Sequence, residues 1–502
     1  MIKGYIITFF VFLSPILFSK ERPNILLIVG EDMSWKHFSS YGNKSIATPN
    51  FDNLADSGFL FEYAYAPAPS CAPSRSGILT GRPVWQLGPA ASIHTCLPKY
   101  YVVYQDLLED EGYVVGFTGK GWGPGEIETY GRTRNPAGNE YKAVEKNNFN
   151  NKKVIYADNF NFFLKQLKED EPFSFWIGTS DAHRPFEKGK YKKYGIDPAQ
   201  IEVPPYFPDN MEVRREIADY LVEVKRFDET LGQLIEVLKK HDKYQNTVFI
   251  VTADHGWPFP RGKGTLYEDG MHVPLVINYP KLSSGGRKVA DMVNLIDLAP
   301  TILELAGTKT HGNMSANSLF DILTSQKTKS NESVSGRSLV FFGHERHSPY
   351  RENGLGYPMR AVRSPKYYYI ENKKPARWPG GAPPHYDDPS DKMIVKDQIM
   401  ISRDTTNHYF ELCYGKRPSE ELYDMEKDPF QMNNLANAKE FEQIKKKLIK
   451  ELAIHLEKTN DPRAFSDSTY WDRMPWIRNW LHPEYMPDNQ EELIQEFNQR
   501  YK

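Results

Sequence analysis

The sequence has few cysteines: Cys71, Cys96 and Cys413 are the only three in 502 residues. Three thiols cannot build a disulfide framework, so at least one must stay unpaired or be used chemically. Long apolar runs are missing beyond the first segment, and no later stretch predicts a membrane-spanning helix. An excess of one charge is missing too. The 63 basic and 65 acidic residues leave a formal net charge of -2, which excludes a nucleic-acid binder that relies on a broad positive surface. Any anion site is therefore local. No repeat of the solenoid kind occurs.

The first segment, MIKGYIITFFVFLSPILFSK, carries Lys3, an apolar run from Tyr5 to Phe18 broken by Pro15, and small or polar residues beside Ser19. This pattern predicts a signal peptide over residues 1–20 and an exported, periplasmic or secreted protein without stable membrane insertion. Cys96 and Cys413 are then free to pair or to stay reduced, and Cys71 is the candidate for chemical use. A composition of 40% hydrophobic and 13% aromatic residues supports one large core and a smaller one.

Along the chain, apolar runs rich in branched residues alternate with amphipathic stretches, which predicts an α/β fold with a mostly parallel sheet between helices. Strands are expected at Asn24 to Val29, Val114 to Thr118, Phe173 to Gly178, Thr247 to Thr252 and Val273 to Ile277. A long helix is expected from Ile217 to His241, where Leu221, Val224, Leu231, Leu234 and Leu238 recur at helical spacing. Beyond about Thr308 the chain becomes rich in Ser, Thr, Asn and Lys. Short strand-like runs then follow at Leu339 to Phe342 and Tyr367 to Ile370. These features predict a main domain over residues 21–330 and a smaller α+β subdomain over residues 331–502.

Polar clusters fall where the candidate strands end, and open α/β sheets bind ligands at the carboxyl ends of their strands. Glu31 and Asp32 follow the first strand, and Asp254 and His255 follow the strand ending at Thr252. Adjacent buried carboxylates repel one another unless a cation offsets the repulsion. Oxygen donors with one imidazole suit a hard dication, calcium or magnesium, better than a zinc cage, and export favours calcium. In the second domain Arg346, Arg360 and Arg377 stand among aromatic residues, an inventory suited to a charged glycan.

The most specific feature is Ser70-Cys71-Ala72-Pro73-Ser74-Arg75, followed by Thr80-Gly81-Arg82. Ser74 and Arg75 are placed to open a helix whose free amide groups, dipole and guanidinium face an anion. The string resembles the signature C-x-P-S-R, then T-G-R, of the formylglycine-dependent sulfatases in the alkaline phosphatase superfamily. The resemblance runs from Arg22 to the segment Glu421 to Pro429 and to Asn433-Asn434-Leu435. The later segments look like the sulfamidase-like branch, which includes bacterial polysaccharide sulfatases.

This resemblance implies an alkaline-phosphatase-like sheet, with a short antiparallel sheet in the smaller C-terminal subdomain. It implies a sulfuric ester hydrolase in which a separate maturation enzyme oxidises Cys71 to formylglycine. The hydrated aldehyde would offer one hydroxyl to attack sulfur and another to expel sulfate. Asp32, modified Cys71, Asp254 and His255 would hold the metal, with Glu31 standing where the pattern usually has an aspartate. Lys120 and Lys263 would touch sulfate and His183 would protonate the leaving group, with Arg75 in the catalytic set. Trp122 stands where many relatives have a histidine that serves as base, and His94, counted among the substrate-facing residues, is the candidate replacement.

The implied substrate is a sulfated polysaccharide or its oligosaccharides, either a marine algal polysaccharide such as ulvan or a glycosaminoglycan. The alternatives are a sulfamidase acting on N-sulfoglucosamine, a phosphodiesterase or phosphonate hydrolase of the same superfamily, and a binding protein that has lost reactivity.

Overall fold

The apolar runs are buried on both faces, as strands at the centre of a covered sheet must be. The structure is a computed structural model that describes residues 22–127, 130–142, 155–283, 285–325, 333–386, 392–466, 470–477 and 489–501. The expected signal peptide and the expected junction at 330/331 lie outside them. Eight strands form the main sheet: β1 (Asn24–Gly30), β2 (Phe59–Tyr65), β3 (Val114–Gly119), β4 (Asn139–Glu140), β5 (Phe173–Gly178), β6 (Thr247–Ala253), β7 (Leu275–Asn278) and β8 (Arg287–Asn294). Their spatial order is β8-β2-β7-β6-β1-β5-β3-β4. Only β7 runs antiparallel to its neighbours. The sheet is thus the mostly parallel one expected.

Each expected strand is present, and the boundary differences have local causes. The strand expected at Val273 starts at Leu275 instead, because Pro274 has no N–H to give a ladder and its carbonyl accepts from Thr252 Oγ1 at 2.7 Å. Three strands of the main sheet escape the apolar pattern, among them the exposed two-residue β4. In β8, RKVADMVN is interrupted by Asp291, which is fully buried and accepts from Ser333 Oγ at 2.7 Å and the Ser335 and Arg337 amides at 3.0 and 3.2 Å. In β2 the polar Glu62 breaks the run FLFEYAY.

The long helix α1 (Met211–Lys240) begins six residues before the expected Ile217. Its first turns are charged and carry little apolar periodicity. The start is set by Asn210, whose Oδ1 accepts from the Glu212 and Val213 amides at 3.1 Å each. The expected stripe Leu221, Val224, Leu231, Leu234 and Leu238 is buried in full.

A second sheet of four antiparallel strands, β9 (Val340–His344), β10 (Met359–Arg363), β11 (Tyr367–Asn372) and β12 (Glu420–Asp424), is covered by helix α2 (Glu442–Lys458) through Leu448, Leu452 and Leu456. Phe342, Tyr357, Ala361 and Tyr368 of this region belong to the same hydrophobic core as the main sheet. The two sheets therefore share packing. Cys96 is buried beside Tyr130, Met474 and Phe497. Cys413 Sγ lies 3.3 Å from the Tyr206 carbonyl, and all three thiols are unpaired. Among the described residues no helix is long and apolar enough to cross a membrane.

One ionic strut holds the second sheet. Arg360, fully buried, donates through Nε to Asp461 at 2.7 Å and through Nη2 to Glu345 at 2.7 Å, and Arg463 meets Glu345 at 2.8 Å. Removing one partner of such a network strands buried charge. We expect Arg360→Ala to lose about 3–5 kcal/mol of stability, read as a lower denaturation midpoint. An unchanged midpoint would contradict this account.

Candidate active site

The site begins where β1 and β6 end side by side, with Gly30 in register with Ala253. The Asp254 amide donates to the Gly30 carbonyl at 2.9 Å and the Met33 amide to the His255 carbonyl at 3.0 Å. Asp254 Oδ1 accepts from the amides of Asp32 at 3.1 Å and His255 at 3.0 Å. These bonds lock both strand ends into one unit. Asp32 sits in the left-handed region at φ 59, a conformation that a non-glycine residue keeps only when its surroundings enforce it. Glu31, Asp32, Asp254 and His255 are all buried.

Cys71 is the first residue of a helix (Cys71–Thr80) in which every residue is buried. Its Sγ lies 3.4 Å from His255 Nε2 and 3.6 Å from Glu31 Oε1. The rest of the motif builds the helix. Gly77 leaves room for Pro67, whose Cβ would stand 2.7 Å from any added Cβ. Gly81, at φ 64, ends the helix in the left-handed conformation. Ser74 Oγ donates to the Asp254 carbonyl.

Each carboxylate has its own cation. Lys120 pairs with Glu31, Lys263 Nζ lies 2.9 and 3.1 Å from the Asp32 oxygens, and Arg75 Nε donates to Asp254 Oδ2 at 2.9 Å. His183, the most open of the group, places Nε2 3.8 Å from Glu31 Oε1 while its Nδ1 lies 2.8 Å from the Arg184 carbonyl. Burial pushes the Glu31 carboxyl up, but Lys120, His183, Arg75 and Lys263 outweigh it and hold the group well below its usual range. Burial pulls His255 down, yet Asp254, Asp32 and Cys71 carry it up to about 9. The three carboxylates and their three cations thus form one charge-balanced cluster.

The donor set fits a hard dication. Ligand atoms of Asp32, Cys71 and His255, and of Glu31, Cys71 and Asp254, lie within 4.8 Å of one another in each group, and carboxylates with one imidazole suit calcium or magnesium.

Several expectations need correction. Arg75, expected in the catalytic set, is fully buried: besides Asp254, it donates through Nη1 to the carbonyls of Lys120 at 2.6 Å and Gly121 at 2.9 Å, while its Nη2 has no hydrogen-bond partner among the described residues. These two bonds tie the Lys120 loop to the helix that begins at Cys71. The approach of that loop also depends on Gly178, where a Cβ would stand 1.7 Å from the Lys120 carbonyl oxygen. Arg346 is buried, with Nη1 2.5 Å from the Met474 carbonyl and Nη2 3.0 Å from the Pro475 carbonyl, and it stacks over Trp476. Arg360 is locked in the ionic strut described above. Arg377 is half-buried, with its guanidinium held by Asp472 at 2.8 and 2.9 Å. These three arginines brace the second domain instead of reaching for a ligand.

Trp122 is buried and donates from Nε1 to Ser76 Oγ at 2.8 Å, so it supports the Cys71 helix from beneath. His94 is half-buried at φ 57, its ring centroid 5.9 Å from that of Trp476. Sequence reasoning missed His347, which lies 2.9 Å through Nδ1 from Ser70 Oγ. The string His344 to His347 held the signal, but nothing in it separates the outward ring from its buried neighbours.

Comparison with known proteins agrees with this geometry. The family described as Sulfatase matches residues 23–308. An ulvan-active sulfatase of Formosa agariphila is 29% identical over 441 residues, 86% of this chain and 79% of that protein. The human N-sulphoglucosamine sulphohydrolase is 26% identical over 497 residues, 88% of this chain and 92% of that protein. Among solved structures, the phosphonate monoester hydrolase of Agrobacterium radiobacter superposes with a TM-score of 0.65 at 16% identity, covering 87% of this chain and 96% of that one. This last likeness concerns the fold alone, which is alkaline-phosphatase-like. With Cys71 set at the head of its buried helix among paired carboxylates and lysines, and with the family matched over more than half its length, this chain belongs to the sulfatase family.

Proposed function

We propose that the protein hydrolyses sulfate groups from a sulfated carbohydrate, using Cys71 after its oxidation to formylglycine. The observation that carries this reading is the position of Cys71 Sγ, 3.4 to 3.6 Å from His255 and Glu31 at the start of a buried helix, with Lys120 and Lys263 beside the same carboxylates. The hydrated aldehyde would supply one hydroxyl for attack on sulfur and a second for later release of sulfate. A dication, calcium for preference, held by Glu31, Asp32, Asp254 and His255 would supply polarisation of that diol and of a sulfate oxygen.

The chain's own side chains do the remaining work. Lys120 and Lys263 carry the positive charge that binds sulfate oxygens, and that charge gains value in a water-poor site. His183, with Nδ1 turned to the Arg184 carbonyl, keeps Nε2 for a proton that it delivers to the leaving oxygen or nitrogen. Arg75 keeps Asp254 and the Lys120 loop in place. The expected domain division at 330/331 fits a C-terminal part that shapes the carbohydrate side. The opening segment supports export.

A sulfated polysaccharide such as ulvan, or a glycosaminoglycan, is the substrate class favoured by the ulvan-active relative. The sulfohydrolase relative, matched over 92% of its length, supports an N-sulfated glucosamine as the second reading. Incubation of matured protein with ulvan and heparan oligosaccharides, monitored for free sulfate, separates the two. Cys71→Ala should release none, and comparable turnover in that variant defeats the mechanism. Peptide mass analysis should find an aldehyde at position 71 in protein from a host with the maturation enzyme.

Lys120→Ala should lower kcat/KM by about a hundredfold or more, the scale expected for loss of one preorganised charge at the reacting group. Chelation should abolish turnover and added calcium restore it. Full activity in the chelated protein would remove the metal from the proposal.

A further inference from the structure

His347 is delivered beside the Cys71 motif and the Lys263 loop by the second sheet. It follows β9 by three residues, and the intervening chain is rigid. The Glu345 carboxylate is held by Arg360 and Arg463, and the Glu345 carbonyl accepts from the Tyr357 amide at 2.8 Å. The Arg346 guanidinium is fixed by the Met474 and Pro475 carbonyls, and the Arg346 carbonyl accepts from the Ile93 amide at 3.3 Å. The half-buried ring of His347 therefore has little freedom. Its Nδ1 is 2.9 Å from Ser70 Oγ, one residue before the nucleophile position. Its Cδ2 lies 3.3 Å from where a Cβ on Gly264 would stand, next to Lys263.

Among the described residues no second hydrogen-bond partner for this ring is recorded, so Nε2 is the end left for a ligand. Burial, then Lys263, His344, His255 and His94, hold the ring well below the usual histidine range. With Nδ1 engaged by the Ser70 hydroxyl, Nε2 offers one donor or acceptor, which suits a hydroxyl or amine, while Lys120 and Lys263 supply the charge for an anionic oxygen.

We propose that His347 is a specificity-determining residue whose Nε2 hydrogen-bonds a polar substituent of the sugar ring beside the sulfate-bearing position, with Ser70 fixing the orientation of the ring. The inference rests on the sulfatase reading and deepens it. It makes the residue before Cys71 a link between the sulfate end and the carbohydrate end of the site.

The test compares kcat/KM for sulfated heparan and ulvan disaccharides with kcat/KM for p-nitrophenyl sulfate, which has no sugar substituents. In His347→Ala the ratio of disaccharide to aryl sulfate efficiency should fall about tenfold, the scale of one lost hydrogen bond in a partly dry site. His347→Gln, which keeps a donor and an acceptor, should recover part of the ratio, and Ser70→Ala should lower it in the same direction. If both efficiencies in His347→Ala change together, leaving the ratio within about twofold, the residue serves only the fold and the proposal is overturned while the sulfatase reading stands. If the wild-type protein releases sulfate from none of these compounds, the sulfatase reading falls and this inference with it.

Discussion

The pairing of buried carboxylates with buried cations at the ends of β1 and β6 is the constraint from which the rest of the site follows. Glu31, Asp32 and Asp254 are each nearly or wholly removed from water, and isolated charges in that environment carry a large desolvation cost. Lys120, Lys263 and Arg75 offset it one by one. The cations come from three different places: a loop after β3, a loop after β6 and the helix that begins at Cys71. Charge balance thus draws three separate segments onto one point, and that point is where the thiol stands.

Close backbone approach makes this convergence geometrically achievable. Gly178 lets the Lys120 carbonyl pass where any side chain would collide, and Gly256 does the same for the Asp269 carbonyl. Arg75 then bonds two carbonyls of the Lys120 loop as well as Asp254. The same guanidinium that pairs with an acid thus also holds the loop that carries a lysine.

Much of this was legible in the sequence because strand ends and motif strings are local features. The runs at Asn24 and Thr247 announced parallel strands, and the polar pairs immediately after them marked the site. Tertiary side-chain direction was not legible. Arg346 and Arg360 lie among aromatic residues, as a glycan-binding arginine would, but both guanidinium groups turn into the fold. The strand β8 was hidden because Asp291 finds its partners in residues 333 to 337, beyond the reach of a periodicity argument. His347 was hidden for the converse reason. Its significance comes from Ser70, which lies 277 positions earlier in the chain.

The second sheet also grips the loop that carries Lys263. Arg261 donates to the Leu412 and Gln431 carbonyls, Tyr368 donates to the Leu266 carbonyl, and Tyr267 donates to Glu421 at 2.7 Å. The loop that carries Lys263 is therefore mounted on the later part of the chain although it is encoded in the earlier part. A substitution in β11 or β12 that moves Tyr368 or Glu421 acts on the support of Lys263 as well as on the second sheet.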